Sequence, residues 1–396
     1  MNTETRCRPW CRQLLAAAVA LSLSPTLAFA GDFSASVDAR YRYEHVDDDA
    51  FANSADAHTL RLRVGGIWQW SPQWSLHGTL EQTSNLNDGF NSTRNGETSY
   101  PVVADPRSTE RDELFVAYGS ERLQARLGRQ VINLDNQRYI GAVGWRQNRQ
   151  SFDGIALDYD VGEQRQLSYR YLSRVIRVFG EHHPNDVLAH RDLDGHLFHF
   201  SHPAFDGRLV EYVYRVEDHD VATDSNTTVG LRYTRDAKAV GNWSLGLDLA
   251  RQQANADNPL DGSATYWRIE PGYRFEAISL QGGWERLGGD GGYSFRTPLA
   301  TGHAFNGWAD RFLATPLDGL DDRFIGVNGK LGESTWSATA HRFDAVHGDA
   351  RFGDELDLSL ARDLGHGFKG LLKLADFRGD ALPDVRKLWL QIDYHY

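Results

Sequence analysis

The sequence predicts an all-β chain closed into a single transmembrane antiparallel β-barrel of about 18 strands, with short periplasmic turns and long extracellular loops. Three observations carry that expectation: apolar and polar residues alternate along strand-length segments, the connections are by turns short and long, and a secretion signal precedes them. Successive strand side chains point to opposite faces, so a wall with hydrocarbon outside and water inside needs a two-residue period. The last segment has it, with Leu388, Leu390, Ile392, Tyr394 and Tyr396 opposing Lys387, Gln391, Asp393 and His395.

The signal comes first in the chain. Arg6, Arg8 and Arg12 form a basic start, Leu14 to Leu27 an apolar stretch, and Ala28-Phe29-Ala30 a small-residue cleavage site. The expected organisation is a signal peptide over residues 1–30 and one barrel domain over residues 31–396. An uncleaved anchor fits less well, because the apolar stretch is shorter than the roughly 20 residues a spanning helix needs. Both cysteines, Cys7 and Cys11, leave with the signal, which excludes disulfides and thiol chemistry. Further on, charges interrupt every apolar run and mean hydropathy is -0.52, so no helical span is expected. An aromatic content of 12%, with 11 Trp and 38 Gly, favours a barrel with aromatic rims over a soluble sandwich. The formal charge of -12 becomes -14 once the +2 carried by Arg6, Arg8 and Arg12 against Glu4 is removed. Such a balance argues against nucleic acid or an anionic surface as a general partner; the expected partners are outer-membrane lipid and anionic or sugar solutes.

In chain order, Phe33, Ala35, Val37, Ala39, Tyr41 and Tyr43 oppose Ser34, Ser36, Asp38, Arg40, Arg42 and Glu44. Leu60, Leu62, Val64, Gly66 and Trp68 then oppose Arg61, Arg63 and Gln69, and Ser71-Pro72-Gln73 turns the chain into Trp74, Leu76, Gly78 and Leu80. Further strands are expected near 111–119, 122–130, 151–160, 165–174, 194–202, 207–216, 226–235, 242–250, 263–274, 277–287, 322–330, 334–343, 353–362, 367–377 and 386–396. The segments at 194–202 and 322–330 alternate poorly, which leaves the count open by two. Tight connections at 71–73, 119–122, 161–164, 203–206, 236–241, 275–276, 331–333 and 363–366 interleave with long ones, the longest at 85–109, 131–150 and 288–321.

A barrel of this size leaves an aqueous bore unless loops enter it, so transport is the default function. The register turns Arg40, Arg42, Arg61, Arg63, Arg126, Arg170, Arg174, Arg215, Arg232 and Arg268 inward, with Asp38, Glu44, Glu81, Glu211, Asp248, Glu270, Glu285 and Asp393. Guanidinium forks match carboxylates and phosphates, so the arginines suit an anionic solute; the alternative is that they pair with these carboxylates and only satisfy a polar interior. Histidines at 182, 183, 190, 196, 199 and 202 do not converge at strand spacing, so no metal site and no cofactor is expected. The glycines at 288, 289, 291 and 292 lack the Lys-Ser/Thr of a nucleotide loop. No GxSxG turn marks an outer-membrane enzyme, and an adhesin built from the outer loops is the other competing class.

Two segments are more specific: Gly128-Arg129-Gln130 through Asn133-Leu134-Asp135-Asn136-Gln137-Arg138-Tyr139 and Val143-Gly144-Trp145-Arg146-Gln147-Asn148, and Leu287-Gly288-Gly289-Asp290 through Phe305-Asn306-Gly307-Trp308-Ala309-Asp310. At these residues the mature chain resembles the alginate export family of outer-membrane barrels, including its smaller porin-like members. The resemblance implies an 18-stranded barrel with an arginine-lined constriction partly occluded by long loops. It implies that Arg129, Asp135, Asn136, Arg138, Trp145 and Arg146 line the pore or anchor its loops, and that Trp308 and Asp310 sit on a loop folded over or into the channel. With Arg61, Arg63, Arg170 and Arg232 from the strand register, these are the candidate solute-contacting residues. The expected function is an outer-membrane channel for small hydrophilic, anionic or sugar solutes; export of an anionic polysaccharide such as alginate is the alternative.

Overall fold

Eighteen antiparallel strands pair each with its chain neighbours, and the first closes on the last, giving a barrel with no free edge. The computed structural model describes residues 31–238 and 241–396; the expected signal peptide and both cysteines lie outside the described residues. The strands are β1 Asp32–Asp48, β2 Ala55–Gln69, β3 Trp74–Asn85, β4 Ser108–Gly119, β5 Leu123–Gln130, β6 Ser151–Gly162, β7 Arg165–Ile176, β8 His190–Ala204 and β9 Gly207–Asp218. They continue as β10 Asn226–Arg235, β11 Trp243–Ala254, β12 Ser263–Arg274, β13 Ile278–Leu287, β14 Leu320–Leu331, β15 Ser334–Asp344, β16 Arg351–Gly365, β17 Phe368–Gly379 and β18 Val385–His395. The two weakly alternating segments are thus full strands, β8 and β14.

The seam shows why the two-residue period closes the wall. Arg40 faces Asp393, Arg42 faces Gln391 and Glu44 faces Trp389, so the polar row of β1 meets the inward row of β18. Meanwhile Leu390 and Ile392 stay 46% and 47% exposed on the outer face, the apolar band expected of a membrane barrel. Closure leaves no strand edge unpaired, which a lipid-embedded wall requires. No described helix is long and apolar enough to cross a membrane. Aromatic rings gather near the strand ends, as in Trp70 against Trp74 at 6.2 Å and Trp243 against Tyr273 at 4.8 Å.

Three expected facings are overturned. In β9 the inward row is Val210, Tyr212, Tyr214 and Val216, all under 10% exposed, while Val213 is 40% exposed outside. Glu211 and Arg215 therefore face outward, where Glu211 accepts from His202 and Arg215 lies beside Asp194. The reason is that the bore is not wet throughout: aromatic wall residues here meet an apolar plug. A break in register between Leu172 and Arg174 turns Arg174 outward, toward Asp192 at 2.6 Å.

Candidate functional site

Two loops fill the upper bore: L1, residues 131–150 after β5, and L2, residues 288–319 after β13. They are bonded to each other although far apart in sequence. Gly141 N donates to Leu299 O at 2.9 Å and Thr301 N to Gln137 O at 3.1 Å. The Thr301 hydroxyl receives Val143 N at 3.0 Å and donates to Gln137 Oε1 at 2.7 Å. Gly141 has to be glycine, because a Cβ there would lie 2.3 Å from Thr301 Oγ1. Val143 sits at φ +51, a rare conformation for a β-branched residue, and these cross-loop bonds hold it there. Ile132, Leu134, Tyr139 and Ile140 of L1 pack with Phe295, Leu299 and Phe312 of L2 in a buried core. Tyr139 meets the wall rings of Tyr212, Tyr214 and Tyr266 at 5.2, 5.9 and 5.8 Å, which is why β9 turns its tyrosines inward.

Charged side chains pin this plug to the barrel on two sides. Toward β18 and β1, Asp310 accepts from His303 at 2.7 Å, Lys387 at 2.8 Å and Arg146 at 3.2 Å, and Arg146 also reaches Glu44 at 3.5 Å. Burial, reinforced by the nearby Lys373 ammonium, pushes the His303 imidazole down to about 3, so the ring is neutral. Against its own burial, His303, Lys387 and Arg146 hold the Asp310 carboxyl well below the usual range. Trp145 is an anchor, its carbonyl accepting from Arg42 at 2.6 Å and Arg40 at 3.2 Å. The Arg42 guanidinium lies 4.0 Å over the Trp145 ring, which stacks on His303 at 4.5 Å.

Toward β13–β17, Arg138 pairs with Glu285 at 2.8 Å and donates to Asn306 Oδ1 at 2.9 Å, all three groups being buried. The tip of L2 then offers Trp308 N to Asp357 at 3.2 Å and Ala309 N to Glu355 at 2.7 Å. Between the two sides, the Lys373 ammonium sits over the rings of Trp308 at 3.6 Å, Trp145 at 4.1 Å and Trp389 at 5.3 Å. Lys373, which sequence reasoning passed over, thereby ties both loops to the wall; its inward position was readable from the lipid-facing Leu372 and Leu374 beside it.

The remaining expected residues spread along the bore. Arg61 pairs with Asp38, Arg63 with Glu81, Arg170 with Asp158 at 2.7 Å and Arg232 with Asp248. Asp135 takes a bond from His199 at 3.1 Å, and Asn136 caps Arg138 N at 3.1 Å. Arg129 is not in the bore. It pairs opposite the lipid-facing Leu114 and turns outward, binding Asp153 at 2.8 Å and Glu181 of the next outer loop at 2.9 Å. It braces a loop, because it stands one position before the inward Gln130 at the end of β5 and so takes the opposite face.

The plug leaves a cavity on either side. The outer one, about 490 Å³, carries Arg146, Arg177, Arg191, Arg296 and Lys387 against Asp48, Asp224 and Asp310. Arg191 is shared by Asp218 at 2.9 Å and Asp224 at 2.6 Å, and Arg296 reaches Asp224 at 3.1 Å. The Arg177 Nε and Nη1 are buried with no hydrogen-bond partner among the described residues. Sequence reasoning missed it, since it stands just past a strand end with no period to place it. The inner cavity, about 610 Å³, is lined by Asp135, Asn136, His199, Arg208, Arg232, Asp248 and Arg268. Among the described residues, no cluster of His, Cys, Asp and Glu has the geometry to hold a metal ion.

With this geometry in view, the family model for alginate export matches residues 32–286. The chain belongs to the alginate export family. Its barrel also superimposes on solved outer-membrane channels at low sequence identity. Pseudomonas aeruginosa OccK3 (OpdO) gives a TM-score of 0.69 at 15% identity, covering 94% of this chain and 99% of that one. Acinetobacter baumannii OccAB3 gives 0.67 at 13%, covering 92% and 99%. P. aeruginosa OpdK with vanillate gives 0.67 at 13%, covering 92% and 98%. Comparison with curated proteins gives no match.

Proposed function

We propose that this alginate export family barrel is an outer-membrane channel that passes small hydrophilic anions through a loop-constricted bore, after removal of residues 1–30. The observation that carries the anionic preference is the surplus of cations facing both cavities, above all Arg177, whose buried Nε and Nη1 have no hydrogen-bond partner among the described residues while the nearby Asp218 and Asp224 are ion-paired to Arg191. A desolvated guanidinium without a partner favours an incoming carboxylate or phosphate over a cation. Arg208 adds a half-buried guanidinium below the plug, donating to a hydroxyl and a carbonyl and forming no ion pair among the described residues. On this reading L1 and L2 form the constriction, with Trp308 and Asp310 at its wall contact and Arg138, Trp145 and Arg146 setting its position. Arg61, Arg63, Arg170 and Arg232 keep the bore polar around it, and Asp135 and Asn136 face the solute from beneath. No catalytic role is proposed for any of these groups.

The test is the reversal potential of purified protein in planar bilayers under a salt gradient, with vanillate, the carboxylate found with OpdK, as an organic probe. Anion preference is expected, falling several-fold in Arg177→Gln combined with Arg208→Gln. Cation preference in the native protein would overturn the proposal. Family membership favours a second reading, export of an anionic polysaccharide. It is distinguished by whether a long polyuronate blocks the current from the periplasmic side.

A further inference from the structure

The outer wall of β14–β16 carries a furrow with a charged head. On β15 the outward column reads Arg342, Ala340, Ala338 and Trp336 from the extracellular end downward. The flanking columns are bulky: Ile325 and Val327 on β14, Leu356 and Leu358 on β16, in register with the two alanines. Ile325 and Leu356 are 58% and 46% exposed. Two methyl side chains between two aliphatic rows make a groove, about 630 Å³ at its upper part, floored by Ala340 and topped by Arg323, Arg342 and Arg378. From Arg342 to Trp336 the furrow runs six residue steps, roughly 20 Å at the rise of an antiparallel strand. That is the shape of an acyl chain lying along a strand.

The head of the furrow is built for phosphate. Arg323 and Arg342 side chains are 50% and 57% exposed, with loose contacts from Arg323 to Asp321 at 3.7 Å and Asp344 at 3.6 Å and from Arg342 to Asp354 at 3.4 Å, all longer than a good charged hydrogen bond. Arg378 stands next to them, bonded to Asp376 at 3.0 Å. The Arg323 guanidinium also lies 5.0 Å from the Trp284 ring, which holds it at the level where the apolar wall ends. Guanidinium forks bind phosphate oxygens.

We infer that this furrow seats one phosphorylated glycolipid of the outer leaflet, its acyl chain on Ala338 and Ala340 and its phosphate on Arg323 and Arg342. The site lies outside the bore, so it is independent of what the channel passes. A lipid fills this site and free phosphate does not, because the furrow below the guanidiniums is apolar and of acyl-chain length.

The test uses native protein extracted from outer membranes, exchanged into detergent, and weighed intact by mass spectrometry. One bound bisphosphorylated glycolipid per barrel is expected to survive exchange. Retention should fall at least ten-fold both in Ala338→Phe with Ala340→Phe, which fills the furrow, and in Arg323→Gln with Arg342→Gln, which removes the charges. Heat-modifiable gel mobility and single-channel conductance should be unchanged in both variants, which separates lost binding from lost folding. The inference is overturned if the native barrel keeps no glycolipid, if phosphatidylglycerol is retained equally well, or if the filled variant retains as much as the native protein. Inorganic phosphate alone should not shift the thermal unfolding of native protein; a shift that survives furrow filling would assign the arginines to free phosphate and overturn the lipid seat.

Discussion

Replacing Arg138 by Met removes a buried charge at the point where L1, L2 and the wall meet. Breaking a buried ion pair by deleting one partner costs about 3–5 kcal/mol, because the other charge is left uncompensated. Glu285 keeps two other donors, the Tyr266 hydroxyl at 2.7 Å and Asn306 Nδ2 at 2.8 Å, so the lower end applies. At about 1.4 kcal/mol per factor of ten, roughly 3 kcal/mol raises the population of barrels with displaced loops about 150-fold. The barrel ladders do not pass through Arg138, so the wall itself should hold. Planar-bilayer recordings of Arg138→Met should then show larger or more frequent open levels, with unchanged heat-modifiable mobility. Adding Glu285→Gln removes the stranded charge and should restore most of the native closure, giving a coupling energy of several tenths to 3 kcal/mol in a double-mutant cycle. Native conductance in the single variant, or no restoration in the double, would show that this pair does not hold the constriction.

Two other outcomes follow from the same geometry. His303 is neutral in the plug with its ionisation pushed down to about 3, so the displaced loop, near the ordinary 6.5, binds the extra proton first. The plug's closure is therefore complete above about pH 6.5 and weakens as pH falls toward 3; open probability should rise across that window, and His303→Gln should flatten the rise. Val213→Arg tests the corrected facing of β9: on the lipid side a mid-wall arginine costs about 2–4 kcal/mol in urea unfolding from bilayers, whereas an inward Val213 would make the change nearly silent.

Most of the barrel is readable from the chain, because lipid outside and water inside impose one constraint on every strand. The pairing of Arg40 with Asp393 and of Arg63 with Glu81 needs nothing beyond period and order. Legibility fails where that constraint lapses. Tyr212 and Tyr214 look like a lipid-facing row because they are apolar enough, and only the packing of Tyr139 from a loop about 70 residues away explains their turn inward. Arg174 fails for another reason, since a single irregularity in pairing flips a side chain without any mark in composition. The loop core of Ile132, Ile140, Phe295 and Leu299 has no period at all, so its burial emerges only when both segments are in place.

The bonds between Gly141 and Leu299, and between Gln137 and Thr301, have a consequence for assembly. Contacts that join such distant stretches wait on the closing of a long chain segment, and the β1–β18 seam waits on nearly the entire chain. Between insertion of the wall and the meeting of the two loops, a nascent barrel is an unobstructed hole. A cell making this protein should therefore suffer a brief leak that scales with its rate of synthesis, and variants slow to dock Thr301 should lengthen it.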